Sequence, residues 1–377
     1  MTLNMPDILP HVVAAPARIG DPAAMVDTPA LVIDLDVFDA NIARMKAYAA
    51  QMGVALRPHA KTHKSADIAL LQMQQGGAVG VCCQKVSEAV ALADAGVTDI
   101  LIANEVVGPA KVAALAALAG RIKLAVCADH PVQVAAYSAA AVQAGVTLDV
   151  LVEIDCGSHR CGVQPGQPAV DLALAIDAAP NLHFAGLQSY FGRAQHIYDA
   201  AERRAALEVS LKLTADTRDA IRAAGLTCDR VTGAGTGTYG VEGASGVYTE
   251  IQPGSYVFMD ADYNRVAETG GFAQSLHVVA TVLSTSPGQA VCDAGLKASA
   301  TDCGPPQIAW PKGVTCGTLS DEHGNVVDPD AILQIGDRVG LIPGHIDPTC
   351  NLHDWYVGVR GGVVETLWPV TARGRLF

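Results

Sequence analysis

Aromatic and charged side chains are both scarce in this chain. Phe, Trp and Tyr supply 5% of its 377 residues, and Asp, Glu, Lys and Arg only 17%. Basic residues number 25 against 38 acidic ones, for a net charge of −13. That balance argues against a nucleic acid or an anionic membrane as partner, although a local basic cluster could still take a small anion. Half of the residues are hydrophobic, yet no run of 18 apolar residues occurs, so no membrane-spanning helix is expected. Near the N-terminus Pro6, Pro10, Pro16 and acidic residues stand where a secretory signal would need an unbroken apolar core. The ten cysteines include no C-x-x-C pair, and several sit in apolar runs such as Val81-Cys82-Cys83. They read as buried free thiols of a reducing compartment, and the expectation is a soluble cytoplasmic protein.

What the chain does have is a rhythm. Short apolar segments at 54–58, 78–83, 99–103, 122–127, 149–154, 183–189, 230–233 and 250–256 alternate with longer Ala- and Leu-rich stretches of helical periodicity. Strand–helix alternation repeated eight times predicts a (β/α)8 barrel of parallel strands. A doubly wound open sheet is the competitor, but it usually carries a glycine fingerprint after its first strand. Residues 57–64 contain no glycine. Beyond about residue 270 the helical runs stop, and strand-like alternation at 275–284, 289–293 and 355–360 is punctuated by Gly and Pro. The expected division is therefore an N-terminal arm (1–26) that joins the β region, a barrel (27–270) and a smaller, mainly β C-terminal domain (271–377).

In such a barrel, chemistry collects at the carboxyl ends of the strands. The first predicted strand runs into Arg57-Pro58-His59-Ala60-Lys61-Thr62-His63-Lys64, more ionisable groups than packing asks for. A lysine there, partly desolvated among other cations, should have a lowered pKa and serve as an amine nucleophile. After the seventh strand, Gly233, Gly235 and Gly237 alternate with threonines. Glycines allow a tight turn whose backbone N–H groups converge on an anion, and barrel phosphate sites lie after strands seven and eight. With Gly254-Ser255 on the next strand, the loop reads as a phosphate site. A phosphate opposite a lysine suggests pyridoxal phosphate held as a Schiff base.

The lysine stretch, Asp155…Arg160-Cys161-Gly162, Thr232–Gly237 and the tail Pro343-Gly344-His345-Ile346-Asp347-Pro348-Thr349 together resemble the D-threonine aldolase/D-serine dehydratase family. That family has the alanine racemase-like fold of pyridoxal phosphate enzymes. The resemblance implies that Lys61 is the Schiff-base lysine and that Arg160 faces the phenolic oxygen of the cofactor. It places Gln84, Tyr190, Thr236, Gly237, Thr238, Gly254, Ser255 and Tyr263 around the ring and phosphate, with Tyr190 and His196 near the substrate. It further implies a homodimer.

The tail motif His345-x-Asp347 sets an imidazole and a carboxylate on one side of an extended segment, where period two aligns them. The resemblance makes this pair the ligands of a divalent metal. A carboxylate in place of the softer cysteine of the dehydratase branch suits manganese, magnesium or cobalt, and matches the aldolase branch. The implied reaction is retro-aldol cleavage of a D-3-hydroxy amino acid to glycine and an aldehyde, with His196 or His63 as base. The chain departs from the threonine enzymes at Phe191 and Arg193, where those carry a histidine and a small polar residue. A guanidinium there suits a β-carboxylate, so 3-hydroxyaspartate, cleaved to glycine and glyoxylate, is the expected substrate. D-threonine cleavage and a D-selective dehydratase are the nearer alternatives, and a non-enzymatic cofactor carrier is the more distant one.

Overall fold

The computed structural model describes residues 13–377. Strand β1 (Ala30–Asp34) leads into helix α1 (Leu35–Met52). The Asp34 side chain caps this helix by accepting from the Asp36 and Val37 N–H groups, and Gly53 ends it at a φ of 68°. Of the residues at helical spacing, Phe38, Ile42 and Met45 are buried and Tyr48 is half-buried, with Ala49 completing the buried face.

Eight parallel strands follow: β2 (Ala55–Leu56), β3 (Val81–Cys83), β4 (Asp99–Glu105), β5 (Lys123–Ala128), β6 (Leu148–Ile154), β7 (Leu182–Ser189), β8 (Val231–Gly233) and β9 (Glu250–Ile251). They pair in the order β2-β9-β8-β7-β6-β5-β4-β3. The ring closes where His59 pairs with Cys82, the Ala60 N–H donating to the Cys82 carbonyl and the Cys82 N–H to the Pro58 carbonyl, each at 2.8 Å. Outside the ring lie α2 (Ala66–Gln74), α3 (Val86–Asp94), α4 (Pro109–Ala119), α5 (Pro131–Ala144), α6 (Gln167–Ala178), α7 (Ala200–Ala223) and the short α8 (Tyr239–Glu242). One core fills the space between strands and helices, with Val81, Ile100, Ile102, Val126, Val150 and Leu187 facing Leu92, Leu115, Tyr137 and Ile176. A second, of small residues such as Cys82, Ala103, Ala125 and Cys127, fills the barrel interior. All ten cysteines are free thiols, and seven of them are buried. Arg57 also points inward, 2% exposed, pairing with Asp99 at 2.6 Å and Glu250 at 3.0 Å. It cross-braces β2, β4 and β9.

The second sheet is built from β10 (Leu276–Ser286), β11 (Gly288–Cys292), β12 (Gln307–Trp310), β13 (Thr315–Leu319), β14 (Gly324–Asp328), β15 (Arg338–Ile342), β16 (Trp355–Arg360) and β17 (Val363–Pro369), with helix α9 (Ile346–Cys350) before β16. Strand β1, expected within the barrel segment, lies instead in this sheet, antiparallel to β10 and parallel to β16. An apolar strand carries the same pattern whichever sheet it joins, so only the pairing decides. The preceding segment also runs along the second sheet, the Gly20 N–H donating to Val364 and the Ala23 N–H to Gly362 at 2.8 Å each. Residues 1–12 of the expected arm lie outside the described residues. A core shared by Phe38, Leu56, Ile251, Tyr256 and Phe258 from one side and Val278, Ala280, Leu341 and Tyr356 from the other joins the two units. At about 1.5–3 kcal/mol for each large side chain buried, this contact holds the barrel mouth against α9. Among the described residues, no helix is long and apolar enough to cross a membrane.

Candidate active site

The lysine stretch lies where β2 ends, and its backbone is clamped from the second sheet. The Tyr356 hydroxyl donates to the His63 carbonyl at 2.7 Å, and the Ala372 N–H donates to the Lys64 carbonyl at 2.8 Å. These contacts separate two lysines that look alike in the sequence. Lys64, at a left-handed φ of 51°, turns into the interior and pairs with the buried Glu88 at the start of α3. Lys61 stays 39% exposed at the mouth, its Nζ 3.2 Å from Asp347. The expected lowering of its pKa does not occur. The Asp347 carboxylate outweighs burial and holds the Lys61 ammonium above its ordinary value. Burial pushes the Asp347 carboxyl upward, but the charges of Lys61 and His345 prevail and bring it down to about 2.

His63 is not available as a base. It is fully buried; its Nδ1 accepts from the Ser65 N–H at 3.1 Å and its Nε2 donates to Gln72 Oε1 at 3.2 Å. Both ring nitrogens are engaged, and burial pushes its pKa down to about 4. His59 is buried and neutral beside Gln84, whose Nε2 lies 2.9 Å from His59 Nε2. Gln84 is thus at the mouth, as expected, but it is tied to this histidine.

The glycine-rich loop after β8 differs from the expected turn. Its left-handed residue is Ala234, at a φ of 67°. The glycines serve close approach instead: a Cβ on Gly233 would lie 1.8 Å from the Ser189 carbonyl oxygen, and one on Gly235 2.5 Å from Gln195 Oε1. The Gly235 and Gly237 N–H groups do not converge on an anion, because they donate to Thr238 Oγ1 and Gln195 Oε1. The Thr238 hydroxyl is likewise spent, accepting from Gln195 Nε2 at 2.8 Å and donating to the buried Glu242 carboxyl. Burial raises Glu242 to about 7, which limits negative charge under the loop. The Thr236 hydroxyl, by contrast, is buried without a hydrogen-bond partner. Across from it, Gly254 packs against the lysine loop so closely that a Cβ would lie 2.8 Å from the His59 carbonyl oxygen. The Ser255 hydroxyl donates to Asp347 Oδ1 at 3.3 Å.

Further round the mouth, the Arg160 guanidinium lies 5.5 Å from the Tyr190 ring centroid and 3.8 Å from Glu153 Oε1. Burial pushes the Glu153 and Glu105 carboxyls up, helped by the charge of Glu105 at Glu153 and by that of Asp129 at Glu105. The other oxygen of Glu153 and one of Glu105 are buried without a partner. Tyr263 is half-buried and, like Tyr190, has its hydroxyl pKa raised by burial. His196 is half-exposed, its Nδ1 2.7 Å from Asp262 Oδ2. Arg193 is exposed in the same 3-10 turn, Gly192–His196, and among the described residues it has no ion-pair partner.

The tail motif is not extended. His345 is the N-cap of α9, and Asp347 stands in its first turn, so period-two alignment does not apply. Asp347 reaches Lys61 and Ser255. His345 Nδ1 meets Asp302 Oδ2 at 2.6 Å, and Cys303 completes a group whose donor atoms lie within 4.8 Å of one another. Asp302, Cys303 and Asp262 are polar residues in loops without any motif, so the sequence carried no signal for them. Nearby, His353 donates to the Ala298 carbonyl and Asp354 pairs with Arg373, both local structural contacts.

A pyridoxal phosphate fits what these residues offer. The lysine amine is accessible, and the Thr236 hydroxyl and His59 Nδ1 are buried without partners. Of the expected metal pair, the structure places His345 in a donor group with Asp302 and Cys303, while Asp347 lies outside that group and pairs with Lys61. The nitrogen and oxygen donors of His345 and Asp302 suit a hard or borderline divalent ion.

The profile of the alanine racemase N-terminal domain matches residues 33–262, and that of a serine dehydratase domain matches residues 275–359. A fold-type barrel carrying its lysine after the first strand, and closed over by a β domain, is what this class defines: the chain belongs to the alanine racemase-like family of pyridoxal phosphate enzymes. Within it, the chain is 46% identical over 369 residues to a 3-hydroxy-D-aspartate aldolase of Paracoccus denitrificans (strain Pd 1222), covering 96% of this chain and 95% of that one. It is 48% identical over 364 residues to a D-threonine aldolase of Arthrobacter sp, covering 95% and 96%. The crystal structure of D-threonine aldolase from Filomicrobium marinum superposes with a TM-score of 0.95 at 51% identity, over 97% of this chain and 100% of that one. The two curated relatives differ in the substrate they are named for and lie at nearly equal identity, so substrate choice has to be read from the site.

Proposed function

We propose that this chain is a pyridoxal phosphate- and divalent metal-dependent carbon–carbon lyase. In this reading it cleaves, or in reverse forms, D-3-hydroxy amino acids, with 3-hydroxyaspartate giving glycine and glyoxylate. The observation that carries the reading is the meeting of Lys61 and Asp347 at 3.2 Å. It joins the lysine stretch of the barrel to the tail motif of the second unit at one mouth.

Lys61, with Thr236, Gly254, Ser255, Arg160, Gln84, Tyr190 and Tyr263 around it, would hold the cofactor, and His345 and Asp347, backed by Asp302, would hold the metal. When bound, pyridoxal phosphate supplies an electron sink for the pair left on Cα, and the metal supplies Lewis acidity at the 3-hydroxyl. The protein's own contribution is proton transfer and orientation. His196 would accept the 3-hydroxyl proton on Nε2 as the Cα–Cβ bond breaks and the aldehyde leaves, and returning that proton to Cα would balance the step and give glycine. Arg193, three residues before His196 in the same turn, would take the β-carboxylate through paired hydrogen bonds. The same reading carries a homodimer, with the β domain near the partner's barrel mouth.

The test is a product assay with D-threonine and both D-3-hydroxyaspartate diastereomers, quantifying glycine, aldehyde, ammonia and keto acid. Glycine and glyoxylate in equal amounts are expected; ammonia with a keto acid would replace the aldolase by a dehydratase. Arg193→Ser should raise KM for hydroxyaspartate by about 10- to 100-fold, the worth of hydrogen bonds to a charged group, and leave D-threonine unaffected. An unchanged preference would remove Arg193 from substrate choice.

A further inference from the structure

The histidine assigned as base is held by a carboxylate that no motif announces. Asp262 is 3% exposed, and both of its oxygens are occupied. Oδ2 accepts from His196 Nδ1 at 2.7 Å, and Oδ1 accepts from the Tyr198 hydroxyl at 2.7 Å and from the Arg265 guanidinium. Arg265 also donates to the Tyr198 oxygen at 2.6 Å and lies over its ring, 4.5 Å from the centroid. A carboxylate this deep is costly unless donors surround it. Burial raises its pKa, but the donors from Tyr198, Arg265 and His196 outweigh it and hold Asp262 below the usual carboxylate range.

An ionised carboxylate can only accept. Its bond to Nδ1 therefore puts the ring proton on Nδ1 and leaves the lone pair on Nε2, the atom needed for a base. The backbone under Asp262 is pinned as well. The Ala261 N–H donates to the Pro343 carbonyl at 2.9 Å, and the neighbouring Asp260 accepts from the Tyr263 N–H at 2.8 Å and the Ile346 N–H at 2.9 Å. One short segment thus fastens the carboxylate behind His196 to the turn that carries His345 and Asp347. The relative placement of base and tail motif is built into residues 260–263.

We propose that Asp262 is a positioning residue for the carbon–carbon cleavage, setting the tautomer and aim of His196 while Tyr198 and Arg265 keep it ionised. The proposal rests on the reading of His196 as the base. The experiment compares Asp262→Asn, Asp262→Glu, Tyr198→Phe, His196→Gln and the Asp262→Asn/His196→Gln double variant as holoenzymes. Glycine formation gives kcat and KM, and 15N-histidine NMR gives the ring tautomer. Asp262→Asn should lower kcat by about 100-fold, within the range for a general base, with KM changed less than threefold. Its His196 signal should move from the Nδ1–H toward the Nε2–H form, and Asp262→Glu should recover at least tenfold. The double variant should be no slower than His196→Gln alone. Full activity in His196→Gln would overturn the reading of the base itself. A slow His196→Gln beside a wild-type Asp262→Asn would overturn the role of Asp262 only, as would a tautomer unchanged in Asp262→Asn. Should Asp262→Asn fail to fold, Tyr198→Phe carries the test, with a kcat loss of about 3- to 10-fold supporting it and none overturning it.

Discussion

Replacing His63 by asparagine separates a structural imidazole from a catalytic one by its effect on stability. In the native protein burial holds this ring at a pKa of about 4, and neither nitrogen reaches solvent. In the unfolded chain the ring returns to about 6.5. Between those values the unfolded state binds a proton that the folded state does not, so stability falls as pH falls. The contribution is fully present above about pH 6.5 and is lost progressively down to about pH 4. A gap of about 2.5 pH units corresponds to about 3 kcal/mol, of which about 2 kcal/mol is lost by pH 5. In His63→Asn the amide oxygen can still accept from the Ser65 N–H, while Gln72 Oε1 loses its donor. Stability at pH 8 should therefore drop by about 1–3 kcal/mol, but the extra loss on acidification should vanish. Urea unfolding of both proteins at pH 8, 6 and 5, followed by tryptophan fluorescence, measures the two slopes. Equal slopes would refute the buried neutral ring. A hundredfold fall in kcat at pH 8, with the variant fully folded, would return His63 to the chemistry.

Two further outcomes follow from the geometry of the mouth. Gly235→Ala must displace Gln195, because the new Cβ would sit 2.5 Å from its Oε1, and Gln195 anchors both Gly237 and Thr238. The affinity for pyridoxal phosphate, read by absorbance titration, should weaken at least tenfold; an unchanged affinity would detach the loop from the phosphate. Thorough chelation should abolish cleavage and added manganese should restore it. Calorimetric manganese affinity should fall strongly in His345→Ala and by about 10- to 100-fold in Asp302→Asn, with cofactor absorbance intact. Activity that survives chelation would contradict the metal assignment.

Much of the barrel was legible because parallel strands covered on both faces read as continuous apolar runs. All eight predicted segments contain or overlap β2 to β9. The helix α1 was legible from its apolar spacing, whereas its aspartate cap, Asp34, emerged only in the structure. The home of β1 was not, since nothing in Ala30–Asp34 says which strands will flank it. The histidines divide the same way. His59, His63, His196 and His345 stand out as ionisable groups, but their roles depend on what each nitrogen meets. Gln72 and Ser65 remove His63 from chemistry, while Asp262 and Asp302 orient His196 and His345. The glycine loop shows a subtler limit. Its composition pointed to a tight turn with free N–H groups, yet the glycines are there because Ser189 and Gln195 leave no room for a Cβ.

By itself, then, the chain's sequence determined the alternation that closes a barrel, and it marked the end of the first strand and the distant tail motif as the stretches that meet at its mouth. The resemblance already singled out Lys61 from Lys64, and the tertiary structure supplied the physical difference between them. Lys64 finds Glu88 in the interior, and Lys61 finds Asp347 across the two units. The physical reason is that short-range pattern encodes burial and periodicity, whereas a side chain's charge state and tautomer are set by partners within about 3 Å. In this fold those partners range from a neighbour two residues away, Ser65 beside His63, to one from the other unit, Asp347 beside Lys61.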